Sequence, residues 1–120
     1  MDAIDDAPVF SDAQRDLLRV LGYLQLQHGH ARKAATIFDA LSASMPADPL
    51  LALSHACALL RSGQAVEALA ALEPPLFQGE QLTLAWLLRG QALSRLGRVA
   101  EAARAMRMFI RQRHADEAKA

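Results

Sequence analysis

Residues Gly29–Ala34 read "GHARKA", Gly63–Ala68 read "GQAVEA" and Gly97–Ala102 read "GRVAEA". A glycine opens each stretch, an alanine closes it, and successive copies lie 34 residues apart. A fixed period in the thirties predicts a stack of helical hairpins. The flanking residues fit that reading. Ser11 with Gln14 three positions on predicts a capping box. The helix it starts runs through "DAQRDLLRVLGYLQLQH" to Gly29, where glycine can take the left-handed conformation that ends a helix. A second helix follows over "ARKAATIFDALSAS", with Pro46 just past its end. Asp48 caps a third, with Pro49 at its first position, where a missing N–H costs nothing. That helix ends at Gly63. A fourth starts near Gln64, a fifth containing Trp86 ends at Gly97, and a sixth runs from about Arg98 to Arg113.

The recurring small residues read as packing. Gly22, Ala56 and Gly90 recur at the same period near the centre of each first helix, and Ala34, Ala68 and Ala102 near the start of each second helix. Two antiparallel helices come closest where neither has a bulky side chain. Mid-helix glycine costs about 1 kcal/mol against alanine, so a recurring one needs a packing reason. Pro74-Pro75 breaks the pattern: the fourth helix must stop near Glu73. Leu76 and Phe77 then either fold back to fill the gap left by the short helix or face a partner.

The bulk composition agrees. The 120 residues suffice for one domain; 52% are hydrophobic but only 5% aromatic, and Ala and Leu supply most of the apolar volume. That favours helices over strands. The formal net charge is zero, so no general attraction to nucleic acid or anionic membrane is implied. The opening stretch is acidic (Asp2, Asp5, Asp6, Asp12, Asp16) and the last 32 residues are basic, with seven arginines and Lys119; a solvated arm and a solvated helix face account for both. The single cysteine, Cys57, excludes an intramolecular disulfide and fits a reducing compartment. "MDAIDDAPVF" lacks the long apolar run of a secretory signal, and the run Leu50–Leu60 is too short to span a bilayer. A soluble cytoplasmic protein is expected.

Catalytic arrangements are not legible. His55 and Cys57, two apart on a helix, point about 200° apart and cannot form a nucleophile–base pair. His28 and His30 flank a turn without the further ligands zinc requires. No phosphate-binding glycine loop occurs. The expectation is a protein that is not an enzyme, with no metal and no cofactor.

Together these residues resemble the tetratricopeptide repeat (TPR), a 34-residue helical hairpin. Residues 15–48 supply Leu21-Gly22, Gly29, Ala34, Phe38 and Pro46 at the favoured positions. Residues 83–114 supply Trp86, Gly90, Gly97 and Ala102. Residues 49–82 keep Ala56, Gly63 and Ala68 but place His55 where Leu is usual. The resemblance implies an all-α fold: three hairpins stacked in a short right-handed solenoid over residues 11–114, between a disordered acidic tail (1–10) and a polar tail (115–120). It also implies a concave partner-binding groove. Carried over by position, the groove takes Asp16, Arg19, Tyr23 and Leu26, then Leu50, Leu53, Cys57 and Leu60, then Leu84, Leu87, Gln91 and Ser94. Independently, the third helix is apolar on nearly every face, and such a helix is normally buried all round. Its free face predicts either a bound apolar segment, helical in form, self-association, or end segments folding into the groove. TPR domains that clamp acidic C-termini need Lys, Asn and Arg where Leu53, Cys57 and Leu87 stand, so that role is excluded.

"LGYLQLQHGHARKA", Leu21–Ala34, is more specific. It resembles the first hairpin of the YscY-type (SctY) chaperones of bacterial type III secretion, which are cytoplasmic TPR proteins of similar length. The resemblance implies a small exported partner of the SctX (YscX) type, engagement of the export gate as a complex, no nucleic acid and no membrane insertion. Separately, the last helix carries Met106, Phe109 and Ile110 with no seventh helix to cap it, which predicts self-association through that end when the client is absent. Needle-subunit co-chaperones, the longer translocator chaperones and a stand-alone TPR interaction scaffold are the alternatives.

Overall fold

The computed structural model describes residues 9–45 and 48–119. Most of the acidic tail and Pro46 therefore lie outside the described residues. Among the described residues every regular element is helical. The elements are α1 (Asp12–Gln27), α2 (Ala31–Ser44), α3 (Pro49–Arg61), α4 (Ala65–Ala70), a short 3-10 turn (Pro74–Leu76), α5 (Gly79–Arg95) and α6 (Val99–Lys119). Each α-helix packs on the next in sequence, and α3 also packs on α5.

The ends follow local chemistry. The Ser11 side chain accepts from the Gln14 amide and the Gln14 side chain accepts from the Ser11 amide, closing the capping box. The Asp48 side chain accepts from the Leu51 amide, with Pro49 in the first turn of α3. The three Gly turns repeat in detail. Gly29, Gly63 and Gly97 have φ of 82°, 81° and 74°. In each, the glycine amide donates three residues back (to Leu26, Leu60 and Ser94) at 3.0–3.1 Å. The following amide donates five residues back (His30 to Gln25, Gln64 to Leu59, Arg98 to Leu93) at 2.7–2.9 Å. This pair of bonds satisfies carbonyls that a helix end leaves free, and it requires the left-handed glycine.

Packing explains the central glycines. A Cβ at Gly22 would lie 2.5 Å from the Phe38 ring, and one at Gly90 would lie 2.5 Å from the Met106 sulfur. Phe38, Leu72 and Met106 are themselves 34 residues apart. Phe38 and Leu72 are fully buried, as are Ala34, Ala56 and Ala68. Trp86 is half-buried and joins Leu93, Ala102 and Ala105 in the α5–α6 hairpin, with the Arg89 guanidinium 5.7 Å from its ring centroid.

Two boundaries differ from expectation. α4 stops at Ala70, three residues before Glu73; Leu72 and Phe77 then fill the space, both buried, with Leu76 half-buried against the core. Residues 115–119, expected as a polar tail, belong to α6. The Thr83 hydroxyl donates to Asp116 there, tying the end of α6 to the start of α5. From α5, Arg89 donates to the Leu72 carbonyl at 3.1 Å and Arg95 donates to the Leu60 carbonyl. The Leu72 carbonyl lies past the end of α4, while the Leu60 carbonyl, which already accepts from Gly63, takes Arg95 as a second donor.

Candidate partner-binding face

Asp48 joins the first two hairpins. One carboxylate oxygen caps α3, and the other accepts from Arg19 Nη2 of α1 at 3.2 Å. Desolvation works against the charged Arg19, but its Asp48 and Tyr23 partners outweigh it, so its pKa is raised overall. Four residues on, Tyr23 rests on Phe38, with ring centroids 5.6 Å apart and planes tilted by 57°. Its hydroxyl lies 3.5 Å from Ser54 Oγ of α3. Ser54 Oγ also donates to the Leu50 carbonyl of its own helix at 3.0 Å. Arg19 and Tyr23, both half-buried, are thus brought together beside α3.

The rest of the expected groove divides by burial. Leu50 and Leu84 are open, at 50% and 49% exposure. Asp16, Gln91 and Ser94 are exposed, while Leu26, Cys57 and Leu87 are half-buried. Leu53 and Leu60 are corrections to the expected groove surface. At 6% and 3% exposure they belong to the central core, so they are not a free face of α3. α2, α4 and α5 all pack on α3. Two open depressions border the α5 stripe. One, of about 380 Å³, places Leu84 beside Arg113, Asp116 and Glu117 of α6. The other, of about 620 Å³, places Gln91 and Ser94 beside Val99 and Met106.

Two surfaces were missed in the sequence. A cleft of about 670 Å³ lies among α2, α3 and α4, lined by Arg32, Asp39, His55, Gln64 and Glu67 among others. His55 Nε2 is 4.0 Å from Asp39. Desolvation lowers the His55 pKa, and the Asp39 charge offsets this only in part. The unusual His55 and the prolines that shorten α4 were the available signals. The second surface is the outer face of α1, where Leu17, Val20, Leu21 and Leu24 are exposed. Among the described residues, no group of three or more His, Cys, Asp or Glu could hold a metal ion, and no helix is long and apolar enough to cross a membrane.

Comparison with protein-family models finds none that matches the chain, and comparison with curated proteins finds no match either.

Proposed function

We propose that the three hairpins form a short right-handed TPR-like solenoid, and that the chain is a YscY-type chaperone of a bacterial type III secretion system. In this reading it works in the bacterial cytoplasm. It binds a small exported protein of the SctX type as an amphipathic helix, keeps it soluble, and helps deliver it to the export gate. It performs no catalysis and needs no cofactor. The threefold recurrence of one turn geometry at a 34-residue period supports the solenoid. The wording of Leu21–Ala34 supports the family.

The observation that carries the binding role is the pair of open leucines, Leu50 and Leu84, on the helices that follow the Arg19–Tyr23 edge of α1. An apolar helix laid across this face would bury both leucines and the edge of Tyr23, leaving Arg19 and Gln91 at the rim, as in helix-in-groove recognition. The test is co-expression with the neighbouring reading frames of its operon, followed by pull-down and calorimetric titration of any captured protein. A small secreted partner that is insoluble alone and soluble in the complex is expected. Failure to retain any operon-encoded protein would overturn the chaperone reading.

A further inference from the structure

We propose that the open row of α6 docks an acidic amphipathic helix of another protein, seated as α3 is on α2 and α5 is on α4. The 34-residue period identifies the row. Ala31, Ala35, Phe38 and Ser42 recur as Ala65, Leu69, Leu72 and Leu76, and again as Val99, Ala103, Met106 and Ile110. On α6 this i, i+4, i+7, i+11 spacing holds the side chains within an arc of about 60° on one face. In the first two hairpins every member of the row is buried or half-buried, where α3 lies on α2 and α5 on α4. In the third, Val99 is 74% and Ile110 52% exposed. Ala103 is exposed as well, and Met106 is only half-buried where Phe38 and Leu72 are fully so. Among the described residues, the substantial packing of α6 is on α5. An open depression of about 620 Å³ lies between the row and α5, with Gly90 and Ala102 in its lining. A helix fills the equivalent place twice in this chain, so the open place has the shape of a helix. An apolar row left uncovered at the end of a stack marks an interaction surface.

Charge selects the occupant, and the charges border the row itself. Arg107 and Arg113 flank it on its two sides, each within about 40° of the nearest row member around the helix. Arg104 and Arg111, three and four residues from Arg107, extend its side. All four are exposed, and among the described residues none of them forms an ion pair. The acids of α6 do not answer them. Glu101 is paired with Arg98, Asp116 accepts from Thr83 and Gln112, and Glu117 stands about two turns beyond Ile110, past the end of the row. A helix with acidic flanks therefore covers the row and meets arginine on both edges. A second copy of α6 would set arginine against arginine in either orientation, which opposes the self-association expected at this end. A nucleic acid would pair with the guanidiniums and leave Val99 and Ile110 in water. A bilayer is flat, whereas this strip is one residue wide beside a seam between two helices. One helix seated on two buries less than the roughly 800 Å² per partner of a standard interface, so the complex is weak and salt-sensitive. This site is separate from the Leu50–Leu84 face and does not depend on what binds there.

Two synthetic amphipathic helices test this, with the same Leu/Ala face and either glutamates or lysines on the flanks. Each is labelled and titrated with the full chain by fluorescence anisotropy. The glutamate peptide should bind about tenfold more tightly than the lysine peptide, and added salt should weaken it. Arg107→Glu combined with Arg111→Glu should reverse that preference with an unchanged circular dichroism spectrum. Ile110→Glu should lose both peptides, and Val99→Glu serves if that variant fails to fold. Val66→Glu, at an exposed position of α4, should bind like the wild type. The place of binding is read with an environment-sensitive dye on Ala103→Cys in a Cys57→Ser background, whose emission should shift to the blue with the glutamate peptide. Equal binding of the two peptides, or binding of neither, overturns the proposal. So does binding that survives Ile110→Glu but is lost with Leu84→Glu, because the peptide then sits on the α1–α3–α5 face. Co-sedimentation with phosphatidylserine vesicles that Ile110→Glu abolishes overturns it as well, because the row would then belong to a membrane. A concentration-dependent dimer abolished by Ile110→Glu does the same, because the occupant would then be a second copy.

Discussion

At Gly22 and Gly90 the same residue at the same repeat position meets different neighbours. A Cβ on Gly22 would press on the ring of Phe38, which is fully buried and cannot move away without disturbing the core. A Cβ on Gly90 would press on the sulfur of Met106, the far part of a flexible and half-buried side chain. Alanine gains about 1 kcal/mol of helix propensity at either site, while overpacking costs about 1–3 kcal/mol where the neighbour cannot yield. Gly22→Ala should therefore destabilise, and Gly90→Ala should be close to neutral; urea denaturation of both variants checks the sign. His55 gives the second residue-scale expectation. Its folded pKa lies below the ordinary 6.5 because desolvation disfavours the charged ring. The unfolded chain then binds the proton more readily. Stability from this site is complete above the ordinary value and falls as pH drops below it towards the folded value. His55→Gln should flatten that part of a stability-versus-pH curve measured by chemical denaturation. An unchanged slope would show that His55 is not its source. The turn glycines were legible in the sequence because a left-handed backbone at three equally spaced points leaves glycine as the natural choice.

Among the elements, α4 shows how a chain compensates for an early stop. The six residues of α4 cannot cover α3 and α5 over the length that the fourteen of α2 cover α1 and α3. Leu72, Phe77 and Leu76 supply the missing apolar surface after the helix has ended. Phe77 is 3% exposed, so Phe77→Ala should cost about 3–5 kcal/mol, an amount normally associated with a helix core position. A thermal melt with little change would mean that the gap is filled by other groups. The proline pair announced the break, but the apolar pair after it left open whether it would fill the gap or face a partner; the burial of Phe77 decides for the filling. The end of α6 was not legible in the chain. "HADEAKA" is polar and reads as a tail, yet Ala, Glu and Lys are good helix formers, and Asp116 acquires a partner in Thr83, 33 residues earlier. A long-range hydrogen bond leaves no local signature. The burial of Leu53 and Leu60 was hidden for a related reason. A helix that is apolar on every side does not say which side its neighbours will take.

For the molecule as a whole, burial decides which substitutions can report on partner binding. Glutamate at Leu53 would place a charge in the central core without a partner, which is expensive, so Leu53→Glu should lose the fold itself. Loss of binding by that variant would say nothing about the groove. Leu50 and Leu84 are the informative positions, since half of each is already in solvent and a charge there stays hydrated in the free protein. On binding an apolar helix the same charge must be desolvated against apolar surface, a cost that appears only in the complex. Leu50→Glu and Leu84→Glu should therefore keep the wild-type circular dichroism spectrum and melting temperature within a few degrees, yet weaken capture of the proposed client at least tenfold each. Arg104→Glu, at an exposed position on α6, should leave capture nearly intact. If both leucine variants bind the client as tightly as the wild type, the α1–α3–α5 face is not the docking surface. The cleft between α2 and α4, with His55 and Asp39 in its lining, is then the next surface to substitute.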